Sequence, residues 1–193
     1  MRALVLTADG PVLRSDHVEP VADGEALIGM RLGGVCATDL ELVKGYMGFE
    51  GVLGHEWVGT VLESPDPAWV GRRVVGDINA ACGACATCLA GRPTHCPHRT
   101  VLGIQGRDGA FSDRFRLPVR NLHAVPDEVA DEAAVFVEPL AAALRILGQV
   151  HVRRQRHRPH VRRRVPVAVA PHRRARMPGE VVVPDAGQPQ RVR

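Results

Sequence analysis

The sequence predicts a mainly β domain with few short helices, followed by a tail of different composition. Apolar runs are short and are separated by Gly, Pro and Asp, as in the strands of a barrel or sandwich. The clearest runs are residues 2–7, 26–32, 57–62 and 73–75. Helical periodicity is confined to two places, and four closely spaced cysteines lie between them. We therefore expect one folded domain over residues 1–150 and a tail over residues 151–193.

Two helices are expected in the folded domain. A short helical turn is expected over residues 38–44. A purely structural interpretation of Thr38 makes it the N-cap of this turn, with Glu41, three residues on, as its capping-box partner, and such a cap can also face a pocket. A longer helix is expected over residues 138–149, because apolar residues recur there at helical spacing. Its apolar face carries Leu140, Leu144 and Leu147.

The cysteine-rich loop is the most specific feature of the chain. Its four cysteines follow the spacing C-x2-C-x2-C-x7-C and are Cys82, Cys85, Cys88 and Cys96. Four thiolates this close can converge on one ion, and a closed tetrahedral set is typical of structural zinc. Gly83 and Gly91 permit the tight turns that such a loop needs. The alternative is a pair of disulfides in a small secreted domain. The first ten residues lack an apolar signal-peptide core, so a reducing cytosol and a bound metal are favoured.

A second candidate metal set is scattered along the chain. It consists of Cys36, His55, Glu56 and Glu138. Such distant ligands indicate a site assembled by folding, and catalytic zinc typically keeps three protein ligands and one open position. Each residue alone has an ordinary explanation, for instance a lone cysteine as a small buried apolar residue. Only the combination indicates a metal centre.

The order of these parts resembles the zinc-containing medium-chain alcohol and polyol dehydrogenases. The resemblance rests on MRALVL, GVCATD, GHEWVGTV, VGRRVVGD, the four-cysteine loop, GAFSDRFRLP and EPLAAALRIL. These segments cover residues 1 to about 150 in family order. The resemblance implies that residues 1–150 form a GroES-like β-barrel catalytic domain.

The resemblance also implies roles for individual residues. Cys36 and His55 match the first two ligands of the catalytic zinc. Glu138 matches the third, which is acidic in the polyol, glucose and threonine dehydrogenases. Glu56 follows the histidine directly and can ligate in its place or lie just behind the metal.

Three further residues match positions around that metal. Asp39 matches the carboxylate that orients the ligand histidine. Thr38 matches the hydroxyl that bonds the substrate oxygen and passes its proton outward. Glu41 occupies the position where many relatives end this proton relay on a histidine, so the relay departs from the family here.

The implied activity is hydride transfer from a zinc-polarised alcohol to NAD(P). Two zinc ions per chain are expected, one structural and one catalytic. The acidic third ligand favours polyols, sugars or hydroxy-amino acids as small-molecule substrates. Self-association into a homo-oligomer through the exposed face of the second helix is also expected.

The match to the family ends near residue 152. A member should continue into a Rossmann domain with a G-x-G-x-x-G fingerprint. Residues 151–193 instead contain 12 Arg, six Pro and only two glycines, Gly179 and Gly187. The NAD(P)-binding domain is therefore expected to be missing, and this chain alone is expected to be inactive. A tail so charged and so poor in large apolar groups is expected to be disordered.

The charge of the chain is divided at the same place. Residues 1–150 carry 13 basic and 19 acidic side chains, a net charge of −6, whereas residues 151–193 carry 12 and 2, a net charge of +10; together these give the total of +4. Three origins of the tail compete: a nucleic-acid-binding arm, a low-complexity extension, and out-of-frame translation of a GC-rich gene. We favour the last, because the change is abrupt and Lys44 is the only lysine.

Two functions from different classes remain. The first is a zinc-dependent dehydrogenase reduced to its catalytic domain. The second is a non-catalytic, zinc-stabilised module whose basic tail binds nucleic acid or another polyanion. The catalytic set favours the first, because a binding module has no need of it. A membrane protein is not expected, since no apolar run approaches the roughly 20 residues that span a bilayer, and the expected location is the cytoplasm.

Overall fold

The computed structural model describes residues 1–149 and 180–181. It contains short strands, few helices and several single 3-10 turns, in agreement with the predicted mainly β class. The strands are β1 (Ala3–Thr7), β2 (Gly10–Arg14), β3 (Ala26–Gly34), β4 (Gly51–Val52), β5 (Glu56–Glu63), β6 (Arg73–Gly76), β7 (Asn79–Ala80), β8 (Thr100–Val101), β9 (Arg114–Leu117), β10 (Leu122–Ala124) and β11 (Glu180–Val181). The helices are α1 (Ala37–Val43), α2 (Ala86–Leu89), α3 (Asp131–Ala134) and α4 (Val137–Gln149).

The described strands form three sheets. The main sheet has the order β10-β6-β5-β3, and β3 is also paired with β9 and, in parallel, with β11. A second sheet has the order β2-β1-β4, and β7 pairs with β8 in a third. The pairings among these strands do not close into a ring. The architecture is thus a mostly β domain built from three sheets.

The core forms where β3 and β5 pack against β9 and the segment that follows β8. Ile28 of β3, Leu102 and Leu117 are fully buried. Trp57 and Phe115 meet edge to face with ring centroids 4.7 Å apart. Burial of such large apolar groups is the main favourable contribution to folding, so β3 and β5 are held rigidly at the centre of the molecule.

The ends of these two central strands bring distant residues together. β3 ends at Gly34, two residues before Cys36, and β5 begins at Glu56, directly after His55. In the antiparallel register Gly34 lies opposite Glu56. Cys36, His55 and Glu56 are therefore neighbours in space although about 20 residues separate them in sequence.

The predicted strands and helices are found close to their expected positions, with one correction at α1. The helix begins at Ala37 and its N-cap is Cys36, so the predicted capping box of Thr38 and Glu41 is wrong. The Asp39 carboxylate instead accepts a hydrogen bond of 2.8 Å from the Cys36 backbone N–H. Asp39 lies three residues after the N-cap, so its short side chain reaches the Cys36 N–H. The Glu41 side chain is instead exposed.

The predicted tail lies outside the described residues, apart from the two residues of β11. Its expected disorder stays a prediction. Among the described residues, no helix has the length and hydropathy to cross a bilayer.

Candidate metal centres and active site

The first candidate metal centre lies at the joined ends of β3 and β5. Cys36, His55 and Glu56 each offer a ligand atom, and these atoms all lie within 4.8 Å of one another. His55 and Glu56 are buried, with 3% and 6% exposure, and Cys36 is half-buried. One thiol, one imidazole and one carboxylate form a donor set that suits zinc and leaves a fourth position open.

Asp39 contacts two of these candidate ligands, Cys36 and His55. One carboxylate oxygen accepts from the Cys36 N–H, and the other lies 3.4 Å from Nδ1 of His55. Both atoms are buried, and neither has a hydrogen-bond partner among the described residues, so the two face each other as an ion pair. The pairing orients the ring so that Nε2 is the nitrogen available to a metal, as in many carboxylate–histidine–metal arrangements.

The electrostatics of this site favour a cation. Burial lowers the pKa of His55, but the Asp39 carboxylate and the Cys36 sulfur oppose it more strongly and raise the pKa to about 10. Burial also raises the pKa of Glu56, and the Asp39 charge adds to this. Acidic groups gathered in a buried site repel one another unless a positive charge joins them. A proton on His55 or a bound metal ion supplies that charge.

Glu138 lies near this site but outside the close group. It is half-buried in the first turn of α4. Burial raises its pKa, the neighbouring charges of Glu56 and Asp77 raise it further, and His55 lowers it. The structure therefore places Glu56, and not Glu138, with Cys36 and His55 in the set of ligand atoms within 4.8 Å.

Thr38 and Glu41 occupy different surroundings on α1. The Thr38 hydroxyl lies 3.7 Å from the Cys36 sulfur, beside the candidate metal set. The Glu41 carboxylate is exposed and accepts a hydrogen bond of 2.9 Å from Lys44. The sequence-predicted relay residues are thus divided between the site and the protein surface.

The second candidate metal centre is the four-cysteine loop. The sulfurs of Cys82, Cys85, Cys88 and Cys96 all lie within 4.8 Å of one another. Three separations are 3.5 Å for Cys96–Cys82, 3.8 Å for Cys85–Cys96 and 3.9 Å for Cys82–Cys88. A tetrahedron with Zn–S bonds of about 2.3 Å has S–S edges of about 3.8 Å. All five cysteines are free thiols, and these spacings fit a metal and do not fit disulfides.

Local backbone geometry prepares this loop for a metal. Gly83 and Gly91 have φ values of +77° and +74°, a region that side chains disfavour, as the turn prediction required. Backbone N–H groups of Ala84 and Cys85 direct hydrogen bonds to the Cys82 sulfur and lower the pKa of Cys82 to about 6. Burial raises the pKa of Cys88 to about 12. The loop therefore stabilises one thiolate even before a metal neutralises the set.

Two residues that support the loop were missed in the sequence. The buried Asn121 amide donates to the carbonyls of Asp77 and Asn79, at 2.7 and 3.0 Å. The Arg120 guanidinium donates to the carbonyl of Ala81, directly before Cys82. They lie about 40 residues from their partners, so no local pattern could reveal them.

Gly54, next to His55, was missed as well. Its φ is +98°, and a Cβ there would lie 2.3 Å from the ring of Phe111. Only glycine therefore permits the turn that delivers His55 into the site. The sequence Gly-His-Glu was the available signal, since glycine directly before a candidate ligand is typical of a close backbone approach.

Comparisons with known proteins point to one family. Residues 22–127 match the alcohol dehydrogenase GroES-like domain. Starvation-sensing protein RspB of Escherichia coli K12 is 36% identical over 131 residues, which cover 65% of this chain and 38% of RspB. L-Threonine 3-dehydrogenase of Streptomyces coelicolor is 37% identical over 150 residues, which cover 70% of this chain and 43% of that protein.

Solved structures give the same result. The structure of an alcohol dehydrogenase, RspB of E. coli CFT073 in complex with NADH, superposes with a TM-score of 0.70 at 29% identity. The match covers 77% of this chain and 45% of that one. The chain therefore spans less than half the length of the relatives it matches.

Proposed function

This chain belongs to the zinc-dependent alcohol dehydrogenase family through its GroES-like domain, and we propose that residues 1–150 are the catalytic-domain portion of an NAD(P)-linked dehydrogenase. Its β-sheets correspond in this proposal to the GroES-like barrel. The proposed substrates are alcohols, polyols, sugars or hydroxy-amino acids of the threonine type. The observation that carries the proposal is the convergence of Cys36, His55 and Glu56 at the ends of β3 and β5.

Two zinc ions per chain are part of the proposal. The four-cysteine loop would hold a structural ion, because its donors are all thiolates and its sulfur separations suit a tetrahedron. Cys36, His55 and one carboxylate would hold a catalytic ion. The orphaned pair of Asp39 Oδ1 and His55 Nδ1 supports this, since a metal on Nε2 would fix the proton on the nitrogen that faces Asp39.

The residues of this chain would prepare the substrate for hydride transfer. A bound zinc ion would polarise the substrate hydroxyl and lower its pKa. Thr38, beside Cys36, would accept the hydroxyl proton in a hydrogen bond and orient the substrate oxygen. Glu41 points to solvent beside Lys44, so a relay through it would deliver the proton to bulk water at the surface of α1.

The acidic surroundings of the site bear on the substrate class. Glu56 and Glu138 both lie near His55, whereas some members of the family have a cysteine as the third zinc ligand. Carboxylates accept hydrogen bonds from hydroxyl and ammonium groups. This favours substrates with several hydroxyls or an amino group over simple aliphatic alcohols.

The test is the zinc content of the purified chain. We expect two zinc ions per chain, and one in Cys88→Ser, because a set of three thiolates no longer closes the structural site. The control is His123→Gln, because His123 is exposed and lies outside both centres. This variant should still bind two zinc ions per chain. Protein that contains no zinc and shows a Cys82–Cys96 disulfide by mass spectrometry would contradict the proposal.

A further inference from the structure

Gly34, the last residue of β3, leaves a space that the Glu56 side chain uses. The two residues face each other across the β3–β5 pair. A Cβ at position 34 would lie 2.8 Å from Oε2 of Glu56 and 3.2 Å from its Cβ. Carbon and carboxylate oxygen do not approach this closely without repulsion. Any side chain at position 34 would therefore displace the Glu56 carboxylate.

A second side chain, that of Val135, also borders this space. Cγ2 of Val135 lies 3.5 Å from the same point, and Val135 is 5% exposed. The helix before Val135 is anchored by Asp131, which accepts hydrogen bonds of 2.9 Å from Arg31 of β3 and 2.9 Å from Arg73 of β6. An added methyl group would therefore lie in van der Waals contact with Val135 on a tethered helix and would clash with Glu56, so Glu56 is the group that would move.

Backbone conformation does not require a glycine here. Gly34 is absent from the residues with positive φ, whereas Gly54 has a φ of +98°. Alanine is therefore compatible with the backbone at position 34. Space for the neighbouring carboxylate is the constraint that remains.

Glu56 is the carboxylate that this space serves. It is 6% exposed, and its oxygen lies with the ligand atoms of Cys36 and His55. Glu138 is nearby but is not in that group. We propose that Gly34 is a positioning residue that selects Glu56, in preference to Glu138, as the carboxylate that meets the metal with Cys36 and His55. This inference rests on the metal centre proposed above.

The test measures Co²⁺ binding to the open centre of the full 193-residue chain. The four-cysteine loop is first loaded with zinc, and Co²⁺ is then titrated while its visible absorption is recorded. Gly34→Ala should weaken Co²⁺ binding by about 10- to 100-fold, as is typical when the support of a ligand is lost. Gly29→Ala is the matched control in the same strand, because the atoms nearest to its methyl group belong to the exposed side chain of Leu62, the first at 3.2 Å.

A second substitution separates displacement of the ligand from general damage to the strand. Glu56→Asp shortens the side chain by one methylene and withdraws the carboxylate from the added methyl group. In the Gly34→Ala background it should restore part of the lost Co²⁺ affinity, whereas alone it should weaken binding. Glu138→Gln should weaken binding more in the Gly34→Ala background than in the unsubstituted chain, because Glu138 then becomes the available carboxylate.

Each outcome decides a particular claim. An unsubstituted chain that binds no Co²⁺ would overturn the metal centre and this inference together. If it binds Co²⁺ but Gly34→Ala binds as tightly as Gly29→Ala, or Glu56→Asp gives no recovery, the role of Gly34 alone is overturned. If Gly34→Ala fails to fold, recovery of folding in the double variant supports the clash with Glu56, and failure to recover overturns it.

Discussion

At the scale of single residues, Asp39 has the widest influence on the site. It bonds the Cys36 backbone and faces the His55 ring, so one short carboxylate sets the helix start and the histidine orientation together. The sequence resemblance implied the second role. The first emerged only when Cys36 proved to be the N-cap of α1.

The raised pKa of His55 predicts how the stability of metal-free protein depends on pH. Burial lowers this pKa, but Asp39 and Cys36 raise it to about 10, above the ordinary histidine value of 6.5. A raised pKa stabilises the folded state fully below pH 6.5, and this contribution is lost as the pH rises through 10. Asp39→Asn removes the strongest group that raises the pKa, so this variant should lose less stability over that range.

The measurement is urea unfolding with a chelator present, at several pH values across that range. Asp16→Asn is the control, because Asp16 is exposed and pairs only with Arg14 in the described structure. If the free energy of unfolding changes equally with pH in Asp39→Asn and in the unsubstituted chain, His55 does not titrate as described.

The four-cysteine loop predicts an order of thiol reactivity in metal-free protein. Backbone N–H groups lower the pKa of Cys82 to about 6, and burial raises that of Cys88 to about 12. Because the thiolate is the nucleophile, iodoacetamide at neutral pH should label Cys82 about tenfold faster than Cys88, or faster still. Peptide mapping over time measures this. Bound zinc should protect both thiols, and equal rates without zinc would contradict the assigned environments.

At the scale of secondary-structure elements, the short helix α3 is held in place by the ion pairs of Asp131. Asp131 in its first turn is 11% exposed and binds Arg31 and Arg73 on two different strands. Arg73 also donates to the Pro126 carbonyl at 2.6 Å. This clamp fixes the chain just before α4, the helix that carries Glu138.

Removal of this clamp should destabilise the domain. Asp131→Ala is expected to lower the free energy of unfolding by about 2–3 kcal/mol, because hydrogen bonds between charged groups are lost in a nearly buried place. Asp16→Ala removes an ion pair that is open to solvent, so screening by water and salt should make its cost clearly smaller. Urea unfolding at neutral pH compares them, and equal losses would mean that the Asp131 clamp contributes no more than a surface pair.

The helix α4 carries an apolar face without a partner among the described residues. Leu140, Leu144 and Leu147 are 56%, 55% and 60% exposed. Exposed patches of this kind favour association, so the chain is expected to self-associate through α4. The Leu140→Glu, Leu144→Glu double variant should shift sedimentation towards monomer. Leu89→Glu, at a still more exposed leucine on α2, should not, and a monomeric unsubstituted chain would refute the idea.

At the scale of the whole molecule, the chain spans less than half of its relatives, including one solved with NADH. Residues 151–193 contain only two glycines and no dinucleotide fingerprint. The segment that follows the proposed zinc centre in this sequence therefore shows no recognisable dinucleotide site.

The 193-residue polypeptide is accordingly expected to be inactive by itself. Without a cofactor held against the substrate, the contribution of proximity and orientation, about 7–11 kcal/mol, is lost. At about 1.36 kcal/mol per tenfold, the rate falls by roughly five orders of magnitude or more. Calorimetric titration with NADH and a sensitive polyol oxidation assay are the tests. Micromolar NADH binding or zinc-dependent turnover would show that a cofactor site exists in this chain.

The residue pattern was sufficient to identify the main strands and the candidate metal ligands of this protein. Short apolar runs identified β1, β3, β5 and β6, and cysteine spacing alone identified the four-sulfur loop, because its members are close along the chain. The same information could not decide between Glu56 and Glu138, or between Thr38 and Cys36 as the cap of α1. The cap is a local contact between Cys36 and Asp39, three residues apart, which the sequence interpretation overlooked. The position of Glu56 beside Cys36 and His55 instead depends on the register of β3 against β5, which is set by packing between residues that are far apart in sequence.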